Sequence, residues 1–140
     1  MGVPYTKASN PNEYKYFDPR IIFYLCGSSG LAAGNTLEEA FVQGMSELYE
    51  HYVIGRYWIN LSNEYYIIDN NTVTNNPVLK NIINKIQLEN NLYIYDFSYN
   101  FNVPVLMAMI VNKNTHAITV NLGSSPVFDI ALERILTELY

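Results

Sequence analysis

The sequence contains a single cysteine, Cys26, among its 140 residues, which excludes a fold held together by internal disulfides. Only 8 Lys and Arg residues stand against 13 Asp and Glu, and they form no basic run, so a nucleic-acid interface is not expected. No apolar run approaches the ~18 to 20 residues that cross a bilayer, and the N-terminus has no signal-peptide pattern. We therefore expect a cytoplasmic protein with no membrane partner.

The length and composition favour one globular domain. Hydrophobic residues make up 49% of the 140 positions, which is enough for a packed core. Residues 1–20 are polar and contain Pro4, Pro11 and Pro19, so they are predicted to form an extended N-terminal arm. Residues 21–140 are predicted to form the domain itself.

The pattern along residues 21–140 predicts an α/β (α+β) fold with a mixed, partly antiparallel sheet and about three helices. Runs of apolar and β-branched residues predict strands at Ile21–Cys26, Leu92–Asp96, Pro104–Val111 and Ala117–Leu122. The aromatic segment Arg56–Ile68 is expected to supply further strand pieces.

The first helix is predicted from its start signal. Thr36 followed three residues later by Glu39 forms a capping box, so the helix should run from Leu37 to about Ile54. Apolar residues recur along it at helical spacing and are expected to face the core: Leu37, Phe41, Met45, Leu48 and Tyr52.

Two further helices are predicted from proline positions. Asn76 and Pro77 open the second, whose apolar period indicates a packing helix with one solvated face. In the third, Ser125 is expected to be the N-cap and Pro126 the first helical residue. Its predicted core residues are Ile130, Ile135 and Leu139.

Two carboxylates of the first helix form a candidate metal site. Glu47 and Glu50 lie three residues apart and therefore on one side of the helix, near Gln43 and beside His51. A divalent cation would relieve the repulsion between the two charges, and Mg²⁺ prefers such oxygen ligands together with waters and phosphates. A solvated helix face would carry the same spacing, so the spacing leaves both interpretations open.

The third helix carries a similar polar strip. Arg134 and Glu138 lie one turn apart, so they could form a simple surface pair, which contributes only ~0.3 to 0.5 kcal/mol. Glu133 is expected to be solvated.

Other chemical signals are weaker. The glycine-rich turn between Gly27 and Gly34 precedes a helix N-terminus, a geometry that binds phosphate, but the Walker lysine is absent. Cys26 has apolar neighbours and is expected to be a buried hydrophobe. Neither His51 nor His116 has a second zinc ligand at the usual spacing, and no motif assembles a Ser-His-Asp triad.

Four blocks of the sequence resemble the YcaO family, in the family's order. They are residues 28–40 (SSGLAAGNTLEEA), 43–53 (QGMSELYEHYV), 102–106 (NVPVL) and 131–139 (ALERILTEL). The resemblance extends from about Ile21 to Tyr140 and includes the branch of the family that is accessory to methylthiolation of a ribosomal protein and the azoline-forming cyclodehydratases. The resemblance implies the N-terminal portion of a YcaO-type domain.

The resemblance also implies a chemistry and a site. Members of the family use ATP and Mg²⁺ to activate a peptide amide oxygen, and an azoline or a thioamide results. Their metal-binding motif Ser-x-x-Glu-x-x-Glu-Arg falls here on Gly44, Glu47, Glu50 and His51, so both glutamates match while the serine and the arginine do not. Glu138 is similar to a further family glutamate, and Arg134 to the arginine before it. The implied metal ligands are Glu47, Glu50 and Glu138, with Arg134 also at the nucleotide.

Family members continue well beyond this length, and their Gly-x-x-His-Pro turn reads Gly123-Ser124-Ser125-Pro126 here, without the histidine. We therefore expect a part of a longer protein, one product of a split gene or a degenerate copy. The resemblance implies part of an enzyme that modifies a peptide or ribosomal protein, helped by a partner protein that recruits the substrate, with little activity in isolation. The alternative is a non-catalytic scaffold that binds a peptide or partner and forms a homodimer.

Overall fold

The computed structural model describes residues 3–7, 10–18, 20–21, 24, 27–59, 65–98 and 102–139. Its strands are β1 (Val3–Lys7), β2 (Asn10–Phe17), β3 (Tyr66–Ile68), β4 (Asn90–Asp96), β5 (Val105–Asn112) and β6 (Ile118–Ser124). Its helices are α1 (Leu37–Trp58), α2 (Pro77–Glu89) and α3 (Phe128–Thr137). Within those residues, no helix combines the length and apolar character that crossing a membrane requires. The predicted α/β fold is confirmed.

The N-terminal segment forms a hairpin in which β1 pairs antiparallel with β2. The strand predicted at Ile21–Cys26 is wrong where the structure describes it, because Ile21 and Tyr24 have helical backbone and exposed side chains. Asp18 accounts for the difference, since its Oδ1 accepts a hydrogen bond from the Arg20 backbone N–H at 2.9 Å, as a helix N-cap does. The prediction for Cys26 lies outside the described residues.

The main sheet has the order β3-β4-β5-β6, and every pairing in it is antiparallel. Alternate residues of β5 face opposite sides, so Leu106 and Ala108 pack with α2 and α3, while Val105 packs with Val53 of α1. The sheet therefore lies between α1 on one face and the pair α2 and α3 on the other. Strand β6 forms one edge of the sheet.

The predicted core stripe of α1 is wrong. Leu37 is 74% exposed and Phe41 56% exposed, and Leu48 and Tyr52 are exposed as well, whereas Val53 is 1% exposed. Ser46 and Val53 are buried two turns apart on the side of α1 that faces the sheet, where Val53 packs with Val105. The apolar period follows a different side of the helix, and Gly44 is buried against the Gly30 carbonyl. The helix also continues to Trp58, so among the described residues of the predicted strand segment Tyr66–Ile68 form the only strand.

Helix α2 begins as predicted, with the Asn76 side chain accepting a hydrogen bond from the Val78 N–H. Helix α3 does not begin as predicted, because its N-cap is Val127 and Ser125 Oγ bonds only the Val127 N–H at 3.2 Å. Of its predicted core residues, Ile135 is buried and Leu139 packs against the core, whereas Ile130 is exposed and Ala131 is buried beside it.

Candidate functional site

A cleft of about 300 Å³ opens beside the edge strand β6, where α1 and α3 approach from opposite faces of the sheet. Residues of all three elements line it: Gln43, Glu47, Glu50, Leu122, Gly123, Arg134 and Glu138. The four residues that the sequence analysis selected therefore lie around one space, although about 90 positions separate the two helices' contributions along the chain. The two strips of charge that looked independent in the sequence form a single acidic surface.

Gly123 allows α3 to pack closely against β6. A Cβ at this position would lie 2.8 Å from Ile135 Cγ2 and 3.3 Å from Arg134 Cβ, closer than packed atoms tolerate. Because α3 contacts the strand at the missing side chain, Arg134 and Glu138 reach the strand edge. The glycine therefore sets one wall of the cleft.

The backbone of Ser124 links the two helices at the end of the cleft. Its N–H donates to Glu50 Oε1 at 2.7 Å, and its carbonyl accepts from Arg134 Nη1 at 2.8 Å. Both groups belong to the outer edge of a strand, where no neighbouring strand can bind them. Glu50 and Arg134 thus satisfy the free backbone of β6, which holds both side chains in defined positions.

Burial raises the pKa of the Glu50 carboxyl above its ordinary value. The Ser124 N–H and the Arg134 guanidinium oppose this shift, whereas the nearby charges of Glu138 and Glu47 add to it. One guanidinium accompanies three carboxylates around the cleft, so negative charge is in excess. The site is therefore electrostatically suited to a cation.

Arg134 and Glu138 do not form the surface pair that their spacing allowed. Arg134 bonds Ser124, and Glu138 Oε2 accepts from the Asn121 side chain at 3.0 Å. Glu138 is exposed at the mouth of the cleft, while Glu133 faces solvent as expected. Asn121 thus orients the third carboxylate.

His51 lies beside Glu47 but does not complete a catalytic triad. Its Nε2 is 3.7 Å from Glu47 Oε1 and 3.4 Å from Ser29 Oγ. In a triad the carboxylate and the hydroxyl occupy opposite ring nitrogens, whereas here both approach the same one. His51 therefore lies against both Glu47 and Ser29 through the same ring nitrogen.

The residues of the cleft suit a Mg²⁺ ion whose other ligands are waters and phosphate oxygens. Among the described residues no three His, Cys, Asp or Glu side chains converge closely enough to enclose a metal ion. Mg²⁺ does not need such a cage, because it keeps several waters and takes one or two carboxylates together with phosphate oxygens. Glu47 and Glu50 supply carboxylates from one helix, and the Gln43 amide lies on the same wall.

The glycine-rich turn passes the middle of α1 at Gly30 and reaches the first turn of the helix at Gly34, where an added Cβ would approach the Ala40 backbone nitrogen to 2.6 Å. The Gly30 carbonyl packs against Gly44, where an added Cβ would approach it to 2.7 Å, and Gly30 has a φ of +76°. Thr36 and Glu39 form the predicted capping box at the helix start: Thr36 Oγ1 accepts from the Glu39 N–H, and Glu39 Oε2 accepts from the Asn35 N–H.

Sequence reasoning missed Asn121 and Ser124. The alternation of β6 could have placed Asn121 on the α3 face, beside Gly123, but its contact with Glu138 has no sequence signal. Ser124 acts through its backbone, which residue identity does not encode.

Comparison with known proteins gives a consistent family assignment. The family model for YcaO cyclodehydratases, described as ATP- and Mg²⁺-binding, matches residues 3–140. The chain is 34% identical over 139 residues to the ribosomal protein S12 methylthiotransferase accessory factor YcaO of Escherichia coli K12. It is 33% identical over 143 residues to an uncharacterized protein of Haemophilus influenzae. These alignments cover 99% of the chain but only 23% and 24% of the two relatives, so the chain spans about a quarter of their length.

Solved structures show the same fold. The heterocyclase TruD superposes on 97% of the chain with a TM-score of 0.74 and 24% identity, although the match covers 21% of TruD. A heterocyclase in complex with substrate and cofactor superposes on 79% of the chain with a TM-score of 0.69 and 27% identity, covering 15% of that protein. With the family model matching nearly the whole length, the chain belongs to the YcaO family.

Proposed function

We propose that this chain supplies part of the nucleotide and metal site of a YcaO-type enzyme that activates peptide backbone amides with ATP. The observation that carries the proposal is the cleft, which gathers Glu47, Glu50, Arg134 and Glu138 from two distant helices around one acidic space. The activity of the whole protein would be azoline-forming cyclodehydration, thioamidation, or assistance to methylthiolation of a ribosomal protein. A cytoplasmic location and a partner protein that recruits the substrate belong to the same proposal.

The residues divide into two roles. Glu47, Glu50 and Glu138 hold Mg²⁺, directly or through water, and Glu50 is already positioned by the Ser124 N–H. Arg134 donates to the Ser124 carbonyl through Nη1, and its remaining N–H donors would bind anionic phosphate oxygens. ATP, when bound, supplies the phosphoryl group that activates the amide oxygen. The chain's contribution is to position these charges and to compensate them.

A second candidate is a non-catalytic scaffold that binds a peptide or partner subunit. The exposed apolar residues of α1 favour it, since Leu37 and Phe41 lie one turn apart and are 74% and 56% exposed. His51 at the position of the family's arginine also favours it, because an imidazole lacks the planar, always-charged fork of five donors with which arginine binds phosphate. A homodimer through these apolar residues would be its simplest form.

Calorimetric titration of the chain with ATP, with and without Mg²⁺, separates the two functions. We expect Mg²⁺-dependent binding that is weakened at least about tenfold in Glu47→Gln and Glu50→Gln, since each removes one charge that faces the metal. Glu133→Gln is the matched control, because Glu133 is an exposed carboxylate of α3 outside the cleft. Absence of binding by a chain shown to be folded by circular dichroism would contradict the proposal and favour the scaffold.

A further inference from the structure

The outer edge of β6 is an open hydrogen-bonding edge of the four-stranded sheet in the part of the chain that the structure describes. β6 ends the sheet on this side, and its residues Ile118 and Val120 are 65% and 47% exposed. Ser124, at the C-terminal end of the strand, has its outward backbone groups bound by side chains. In the part of the chain that the structure describes, no strand pairs with the rest of this edge.

The pairing of Ser124 with Val105 determines which backbone groups of β6 point outward, away from β5. These residues face each other, yet Val105 directs its N–H to Ser98 Oγ and its carbonyl to the Phe97 N–H, away from β6. In an antiparallel ladder, bonded and non-bonded pairs alternate. Leu122 and Val120 lie two and four residues before Ser124, so their N–H and carbonyl groups also point outward.

An apolar pocket of about 120 Å³ lies beside the same edge, on the α1 face of the sheet. Its walls are the side chains of Val53, Ile54, Tyr57, Phe97, Met107, Val120 and Leu122. Leu122 lines both this pocket and the acidic cleft. A hydrogen-bonding edge, a pocket for one apolar side chain and the charged cleft are therefore adjacent.

We infer that an extended peptide adds to β6 as a further strand, with an apolar side chain in the pocket and a neighbouring backbone amide at the cleft. Main-chain bonds to Val120 and Leu122 would supply affinity, and the pocket would select the side chain. Successive same-face residues of a strand are ~7 Å apart, so the peptide continues from the pocket past the cleft. This inference deepens the proposed function, on which it rests, by naming how its peptide substrate binds.

Charge decides between a peptide and a second copy of the chain as the occupant. Pairing of two β6 edges about a twofold axis would bring two acidic clefts close together, and their excess negative charges would repel. A peptide without Asp or Glu near its apolar anchor has no such penalty, and a basic residue beside the anchor complements the cleft. The edge therefore favours a neutral or basic extended peptide.

A fluorescently labelled octapeptide of alternating Thr and Leu with one terminal Lys provides the test, by anisotropy. Each backbone amide is N-methylated in turn, which removes one donor at a time. We expect binding to weaken about tenfold for every second amide only, because alternate amides of an added strand face β6. Equal effects at all amides, or none, would overturn the inference.

Protein variants provide the second measurement. Val120→Pro removes one outward N–H at an edge position where proline is tolerated, and should weaken the peptide about tenfold. Ile54→Trp should also weaken it by filling the pocket. Titration with Mg²⁺ and ATP is run on the same proteins, so that loss of peptide binding and failure of the nucleotide site are separate results. Concentration-dependent dimerisation that Val120→Pro abolishes would overturn the inference in favour of self-association.

Discussion

Glu50 Oε1 accepts a hydrogen bond from the Ser124 backbone N–H at 2.7 Å, across 74 positions of the chain. The bond joins the middle of α1 to the last residue of β6. It gives Glu50 a structural role in addition to the proposed metal-binding role, since Ser124 is fully buried and its N–H faces no strand. Variants of Glu50 must therefore be chosen to separate hydrogen bonding from charge.

We predict that Glu50→Ala destabilises the chain by about 1 to 3 kcal/mol, because the buried Ser124 N–H loses its acceptor. Glu50→Gln should cost much less, since the amide oxygen can accept the same bond. Chemical denaturation at pH 7 measures both. Equal destabilisation by the two substitutions would show that the charge, not the acceptor, is what stabilises the fold at this position.

The pH dependence of stability follows from the raised pKa of Glu50. Because the folded state holds this proton more tightly than the unfolded chain, the contribution of Glu50 is fully present below the ordinary glutamate pKa. It is lost as the pH rises through the folded-state pKa. We expect Glu50→Gln to flatten this decline, and denaturation from pH 4 to pH 8 would measure it. A steeper decline in the variant would contradict the assignment.

Arg134 should determine the pH at which the stabilising contribution of Glu50 is finally lost. Its guanidinium lowers the pKa of Glu50, so Arg134→Met should raise this pKa further and extend the loss of stability to higher pH. Arg134→Lys keeps the charge and serves as the control. NMR titration of the Glu50 side-chain carboxyl reports the pKa directly, and an unchanged value in Arg134→Met would refute the coupling.

Gly123→Ala should move α3 away from β6. The new methyl group would overlap Ile135 Cγ2, so we expect a loss of about 1 to 3 kcal/mol in stability from overpacking. The displacement should also weaken Mg²⁺-dependent ATP binding, because Arg134 and Glu138 lie on α3. Gly55→Ala is the control within α1, since nothing lies within 4 Å of a Cβ there. Equal effects of the two substitutions would argue against the close approach.

Local signals in the sequence predicted where the helices and strands lie more accurately than which side of each helix is buried. Asn76 with Pro77 located the start of α2, and the alternating strands β4 to β6 were found within two residues of their bounds. The stripe from Leu37 to Tyr52 was assigned to the wrong side of α1, because periodicity shows that a helix has an apolar face but not which neighbour it meets. Asp18 before Pro19 is also a helix N-cap signal, and it was not used to predict the helical residues that follow.

The site was predictable only in part. Glu47 and Glu50 share a face by helix geometry alone, but their meeting with Arg134 and Glu138 depends on α1 and α3 lying on opposite faces of the sheet and converging at β6. No local pattern encodes that convergence. The family motif identified the four residues but not their geometry. Neither the motif nor the helix spacing predicted that the Ser124 backbone binds Glu50 and Arg134.

The excess of carboxylates in the cleft predicts that Mg²⁺ stabilises the chain more strongly as the pH rises. Binding to the folded state alone raises the melting temperature, and protons compete with the metal for Glu50. We expect a larger rise at pH 8 than at pH 5, measured by thermal denaturation in MgCl₂ against KCl of equal ionic strength. The rise should shrink in Glu47→Gln and Glu50→Gln and persist in Glu133→Gln. An equal rise in both salts would mean that screening of the acidic surface, and not metal binding at the cleft, is responsible.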